Sequence, residues 1–440
     1  MIHSTKAARF HYLDHARGFI ILLVVVQHAI NAYGQRFGYS SFAPDVERSL
    51  YCDALYMLTD GFIMQALFFI SGMFVLPSLQ RRGWLSFSWG KTVRLIIPFF
   101  LGSLLIVPLQ SFIKYSLASA EEVSYLYYWF NVYLFNFSYV DIDPSLTGFR
   151  YWLDYLFQGF VAGRMQSGGY WFIGILTLFT FAAALVATLL PFIIRLLGDF
   201  VSWMVRHPIL GYLSFAGITA LLISISDIVW GTTHSVDLGT SLLWMRANMF
   251  MSFIFYFCLG LGVRASGILT HENVLEKMGV YWHRWVVLTV VLSVFYTGYI
   301  VLYMYDGAFS NETVIHFYHK GVWNLEAWIS GWPLLQDVVP GLLVRTMLHG
   351  FLCTAQTITV IVVLYRFTND ELPFWTSLAT CSYGIYYLHE FIVVWVQYVM
   401  YGSALHILFK VVISFAISLG LSWLITDKVL RRLPLTRRVF

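Results

Sequence analysis

Arg17 and His28 stand eleven residues apart in Leu13-Asp14-His15-Ala16-Arg17-Gly18-Phe19-Ile20-Ile21-Leu22-Leu23-Val24-Val25-Val26-Gln27-His28, a segment with no other charge beyond Arg17. On a helix rising about 1.5 Å per residue that separation is roughly 16 Å, so His28 sits near mid-bilayer when Arg17 marks the inner surface. An ionisable side chain in lipid is costly and marks a functional site by default. Two readings of His28 are open: a neutral core histidine bonded to a neighbouring helix, or a base that takes a proton and returns it. Arg17, with its planar multi-donor head, suits a phosphate-bearing ligand arriving from the cytoplasm. Asp14, three residues earlier on the same face, is placed to orient it.

A second costly group lies late in the chain, in Cys381-Ser382-Tyr383-Gly384-Ile385-Tyr386-Tyr387-Leu388-His389-Glu390. Ser382, Tyr386 and His389 follow helical spacing and share one face. Counted from Thr376, His389 lies roughly 20 Å in, close to the depth of His28. Two histidines at matching depth on different helices predict a polar seam inside a bundle. A proton pathway in a transporter and a catalytic site in a tunnel both fit such a seam.

Other residues carry weaker signals. Ser71-Gly72 interrupts an aromatic and aliphatic helix, where small residues permit close helix approach. Asp60, at the outer end of that helix, reads as a solvated cap. The inner basic cluster Arg81, Arg82, Lys91 and Arg94 serves either as an orientation signal or as a docking site for a nucleotide phosphate. Cys52, Cys258, Cys353 and Cys381 lack C-x-x-C spacing, so neither a disulfide framework nor a zinc site is expected. His316 and His319 could share a metal across one helical turn, but nothing nearby completes the set, and solvated loop histidines are the plainer reading. No metal site is expected.

The elements that must hold these residues are membrane helices. Of 440 residues, 59% are hydrophobic, 19% aromatic and 11% charged, with a mean hydropathy of +0.71. Soluble domains carry roughly 25% charged residues, so a soluble globular protein, a disordered chain and a nucleic-acid binder are excluded. Ten candidate spans centre on 17–34, 55–78, 93–113, 170–194, 208–229, 244–263, 285–304, 340–364, 376–400 and 405–425. This predicts an all-α polytopic membrane helical bundle of about ten transmembrane helices, with no internal repeat. A single domain over 1–440 is expected, with long extracytoplasmic loops at 114–169 and 305–339. An even number of spans puts both termini on one side. With the N-terminus inside, 18 of the 27 Lys and Arg residues fall on inner segments, so both termini are expected to be cytoplasmic. The basic N-terminal stretch lacks a small-x-small cleavage site, and a retained first helix is expected. The 16 Trp, 28 Tyr and 38 Phe exceed what interfacial belts alone require. Many fall in the outer loops: segment 125–139, then Trp152, Tyr155, Tyr170 and Trp171, then Trp323, Trp328 and Trp332. They could form a platform for sugar rings over the seam, or, for 125–139, a re-entrant or interface-lying helix.

Several of these segments, in this order, resemble acyltransferase family 3, the membrane O-acyltransferases that modify bacterial glucans and O-antigens. Leu13-Asp14-x-x-Arg17-Gly18 followed by His28 matches its arginine, ten residues, histidine pattern. Phe68-Phe69-Ile70-Ser71-Gly72 is similar to its phenylalanine-rich serine-glycine helix, and Arg94-Leu95-Ile96-Ile97-Pro98-Phe99 to the start of its third helix. Trp171-Phe172-Ile173 and Ser382 through His389 resemble two later elements. Two departures concern Lys91, where members often carry a second arginine, and Gly168-Gly169-Tyr170, where many glucan-modifying members have a histidine before the tryptophan.

The resemblance implies transfer of an acetyl or succinyl group from cytoplasmic acyl-CoA, a donor substrate, to a hydroxyl of an extracytoplasmic polysaccharide or glycolipid. No permanently bound cofactor and no nucleic acid are expected, and the location implied is a bacterial inner membrane among its lipids. Arg17, Asp14, Arg94 and Lys91 would then hold the nucleotide end, His28 and His389 would be catalytic, and Ser71, Ser382, Tyr386 and Trp171 would line the substrate path. His28 would act as general base or carry the acyl group transiently. From a different class, a proton-coupled transporter or glycan exporter could use the same seam, and broken helices or inverted repeats would favour it. The sequence shows neither. The sequons Asn136-Phe137-Ser138 and Asn311-Glu312-Thr313 are read as coincidental.

Overall fold

Backbone amides find no water in a bilayer core, so a chain this apolar has to close its hydrogen bonds within helices. A computed structural model shows that arrangement, and it describes residues 10–35, 37–119, 122–136, 148–230, 235–237, 244–270, 272–305 and 332–440. His316, His319, Trp323 and Trp328, the second sequon and most of the 305–339 loop lie outside the described residues, as do Asp141 and Asp143. The first half comprises α1 (His11–Asn31), α2 (Leu50–Asp60), α3 (Ile63–Met73), α4 (Val75–Lys91), α5 (Ile97–Leu101), α6 (Val107–Ala118), α7 (Tyr125–Tyr128), α8 (Phe149–Val161), α9 (Trp171–Leu189) and α10 (Pro191–Arg206). The second comprises α11 (Pro208–Trp230), β1 (Ser235–Asp237), β2 (Trp244–Arg246), α12 (Ala247–Ala265), α13 (Glu272–Val280), α14 (Trp282–Tyr305), α15 (Trp332–Thr368), α16 (Pro373–Val399) and α17 (Ile407–Ile425). The bundle is all-α and polytopic, with β1 and β2 forming one short antiparallel ribbon.

Among the described residues, eight stretches are long and apolar enough to cross a membrane: 11–31, 50–73, 75–118, 168–189, 208–230, 282–301, 343–368 and 407–430. The two remaining expected spans correspond to α12, whose apolar stretch Met249–Ala265 is shorter, and to α16. The latter runs 27 residues but carries Ser382, Tyr386, His389, Glu390 and Gln397, which dilute its hydropathy.

Helix α1 is central and packs against α16, α15, α2, α17 and α3. Its pairing with α16 is parallel. Near one end the absent side chain of Gly18 lets the Ala379 backbone approach to where a Cβ would lie 3.1 Å from Ala379 N. Toward the other end Gln397 Nε2 donates to the His28 carbonyl at 3.0 Å. This register fixes which residues of α16 face Arg17 and which face His28.

Two spans are broken in ways the sequence did not announce. The second divides into α2 and α3 at Gly61, whose carbonyl is met by His349 Nε2 of α15 at 3.0 Å, while Gln356 donates to the Leu58 carbonyl at 3.0 Å. A discontinuous span therefore exists where none was expected, its freed backbone groups satisfied by side chains of α15 as lipid exposure demands. The third span passes from α4 through α5 to α6 by π turns at Thr92–Ile96 and Gly102–Ile106. Pro98 and Pro108 have no N–H for the carbonyls four residues back. Those carbonyls find aromatic donors instead: Tyr383 Oη donates to Arg94 O at 2.5 Å, and Trp129 Nε1 to Leu104 O at 3.1 Å.

The aromatic segment after α6 accordingly lies against this span. Tyr133 Oη donates to Ser103 O at 2.6 Å, Tyr128 Oη to Ser111 Oγ at 2.9 Å, and both rings are buried. Residues 125–134 thus pack one side on this span through Tyr128, Trp129 and Tyr133, while Leu126, Tyr127 and Phe130 stay exposed. Elsewhere α3 and α12 cross closely because Gly72 and Gly260 lack side chains: a Cβ on Gly260 would lie 2.0 Å from Phe69 O.

Candidate functional site

The candidate residues sort onto two levels along the α1–α16 pair. At the first level Arg17 Nε donates to Ser382 Oγ at 3.1 Å and its Nη2 to the Ala379 carbonyl at 3.1 Å, while Asp14 lies 3.3 Å away as its ion-pair partner. Ser382 in turn donates to Ala379 O at 2.7 Å, so its hydroxyl is engaged inside the protein. The Arg17 side chain nonetheless keeps 40% of its surface exposed. Arg94 reaches this level through the Tyr383 bond to its carbonyl, and its own side chain is exposed. Lys91 lies 5.6 Å over the Phe87 ring, close enough to Arg82 and Arg94 to feel their charge. Asp14 and Ser382 thus flank Arg17 on the α1–α16 pair, while Lys91 and Arg94 form a separate basic group with Arg82 that meets α16 through the Arg94 carbonyl.

At the second level α1 and α16 bring the two histidines together, with ring centroids 5.0 Å apart. His389 is buried. Its Nδ1 bonds the Tyr386 carbonyl at 2.7 Å, so this nitrogen carries the proton and Nε2 keeps a lone pair. That buried Nε2 has no hydrogen-bond partner among the described residues. His28 is more open, its side chain 26% exposed, and its Nδ1 faces Glu390 Oε1 at 3.6 Å. The Tyr386 ring lies 5.7 Å from that of His389, and its hydroxyl donates to the Gly169 carbonyl.

Trp171 and Ser71 stand apart from this cluster. The Trp171 ring rests on Phe253 of α12 at 5.7 Å, inside an aromatic group with Phe172. Ser71 directly precedes Gly72 at the close crossing of α3 and α12. No group of three or more His, Cys, Asp or Glu side chains among the described residues could hold a metal, and the four cysteines are unpaired.

Several residues at the second level received no role from the sequence. Asp60, expected to be a solvated cap, accepts from Gln27 Nε2 at 2.8 Å and acts electrostatically on His28. Glu390 accepts from the backbone N–H of Gly169 at 2.8 Å and from the Gln110 side chain of α6. A carboxylate next to His389 in a membrane span was itself a visible signal. The Gly169 amide was not, since a backbone donor leaves no trace in residue type.

A family model described as an acyltransferase domain matches residues 10–427 of the chain. No curated protein and no solved structure matches it.

Proposed function

The chain belongs to that acyltransferase family, acyltransferase family 3, and from this premise we propose that it transfers an acetyl or succinyl group from cytoplasmic acyl-CoA to a hydroxyl of an extracytoplasmic glycan at a bacterial inner membrane. The observation that carries the reading is the pairing of levels: a partly exposed, oriented guanidinium at Arg17, and on the same helix, eleven residues on, a partly open imidazole beside a second buried one. The distance of roughly 16 Å between them suits a ligand whose phosphates stay at the mouth while a thioester on a flexible arm reaches His28.

The chemistry then follows from the side chains present. An acceptor hydroxyl approaching from the outer side gives its proton to Nε2 of His28 as its oxygen attacks the thioester carbonyl carbon. The tetrahedral intermediate collapses, the C–S bond breaks, and the departing thiolate takes the proton back from the imidazolium, leaving an ester and free coenzyme A. His389, whose Nδ1–H is held by a backbone carbonyl, packs edge-on against the His28 ring with its Nε2 buried. Arg17 supplies fixed donors at the inner mouth, with Asp14, Ser382 and the Ala379 carbonyl orienting its plane. Arg94 and Lys91 add positive charge from their separate group.

Replacement of His28 by Ala is expected to abolish acyl modification of surface glycans, read by mass spectrometry, with membrane insertion intact. Retained modification would overturn the mechanism. The break at Gly61 is a feature that a proton-coupled transporter or exporter would share. Acyl-CoA binding by purified protein separates the two readings, because an exporter has no use for the thioester.

A further inference from the structure

Glu390 of α16 joins the segment before Trp171 and α6 to the reacting histidine of α1. Its Oε2 accepts from the Gly169 N–H at 2.8 Å, its Oε1 faces His28 Nδ1 at 3.6 Å, and the Gln110 side chain of α6 also donates to it. Two donors, the Gly169 N–H and the Gln110 side chain, thus converge on a group that, ionised, only accepts, with the imidazole on its other side. The fit at Gly169 is close: a Cβ there would lie 2.4 Å from Oε2. Gly168, just before it, has φ +49°, a left-handed conformation that glycine adopts without strain. The short segment is pinned from its far side too, since Tyr386 donates to the Gly169 carbonyl and Tyr170 Oη to Tyr387 O at 2.8 Å. The backbone before Trp171 is therefore held as a rigid shelf that presents one N–H to Glu390.

We propose that Glu390, seated on the Gly169 N–H, is a positioning residue that fixes the ring orientation and tautomer of His28 for acyl transfer. A carboxylate facing Nδ1 holds the proton on that nitrogen and leaves Nε2 as the base toward substrate. It also stabilises the imidazolium that forms when the acceptor hydroxyl loses its proton, the role an acidic partner plays beside a general-base histidine. The separation of 3.6 Å is slightly beyond a direct hydrogen bond, as is common for catalytic contacts before substrate binds. The charged and titratable groups facing His28 are Asp60 from α2 and His389 and Glu390 from α16. Asp60 bonds Gln27 and adds a second negative charge acting on the ring, His389 offers a lone pair rather than a charge, and Glu390 is the acidic group whose oxygen faces Nδ1 at 3.6 Å. This assignment rests on the acyl-transfer reading above.

Glu390→Gln separates positioning from mere structure. An amide oxygen still accepts from Gly169, so the shelf stays anchored, but the amide N–H₂ then faces Nδ1 and drives the proton to Nε2. In detergent-purified protein, acyl transfer to a glycan acceptor should fall roughly a hundredfold or more in kcat for Glu390→Gln, with KM for acyl-CoA unchanged. Labelling of His28 by diethyl pyrocarbonate, read by peptide mass spectrometry, should fall with it, because the reagent attacks an accessible unprotonated nitrogen, and in the variant Nε2 carries the proton while Nδ1 is covered by the amide. Gly169→Ala, which displaces the carboxylate, should move both readouts in the same direction. A Glu390→Gln protein within twofold of wild type in labelling or kcat overturns the proposal. Absence of acyl transfer by the wild-type protein overturns the functional reading instead, and labelling of His28 still tests its coupling to Glu390.

Discussion

At the residue scale the guanidinium of Arg17 is held edge-on by two donors to α16, through Nε to Ser382 and Nη2 to Ala379. A lysine retains the charge but not the fork, so Arg17→Lys cannot make both contacts while facing the mouth. The expected outcome is a roughly tenfold rise in KM for acyl-CoA at little change in kcat, measured by release of free coenzyme A at varied donor concentration. A fall in kcat alone would place Arg17 with the reacting atoms instead. His28 and Arg17 were legible in the sequence because each residue type was costly or distinctive where it stood. Glu390 and Asp60 were visible as charges but not as partners, since pairing depends on which helices adjoin and in which register.

At the scale of elements, the α4–α6 span shows how a membrane helix tolerates two prolines. Each frees a carbonyl, and an unsatisfied one inside lipid costs about 1–3 kcal/mol or more. Trp129 supplies the missing donor to Leu104 O. Trp129→Phe keeps an aromatic ring and removes the N–H, so it should lower stability by about 1–3 kcal/mol, seen as an earlier thermal transition in detergent. An unchanged transition would show that the carbonyl finds another donor. The prolines were plain in the sequence, as was the aromatic segment, but nothing in either announced that one answers the other. The aromatic surplus is in part such internal satisfaction: Tyr128, Trp129, Tyr133, Tyr383 and Tyr387 all place a polar tip on this span.

At the scale of the whole molecule, the chain between α1 and α2 closes the end of the bundle beyond His28. Ala43 packs with Ile113 of α6 and Val394 of α16, and Asp45 meets Lys410 of α17 at 3.1 Å, both side chains almost fully buried. Removing one partner of a buried pair leaves an uncompensated charge, at a loss of about 3–5 kcal/mol. Lys410→Met should therefore destabilise the protein by that order in detergent unfolding, and adding Asp45→Leu should restore much of it. If the double variant is no more stable than the single one, the pair is not what fastens this connection. Arg345 and Asp227 form a second, largely buried ion pair, joining α15 to α11.

Composition determined that the chain is a helical membrane bundle, and helical spacing with depth determined that Arg17 and His28 occupy two levels and that His389 matches the deeper one. Those conclusions follow from transfer free energies and from geometry internal to a single helix, which the order of residues encodes directly. Tertiary structure alone decided that α1 and α16 run parallel in a register placing Ser382 on Arg17 and Glu390 on His28. It also decided that the second span breaks at Gly61 and that a glycine amide before Trp171 anchors the carboxylate. These depend on close approach between helices distant in sequence and on backbone donors common to nearly every residue, which no side-chain pattern records.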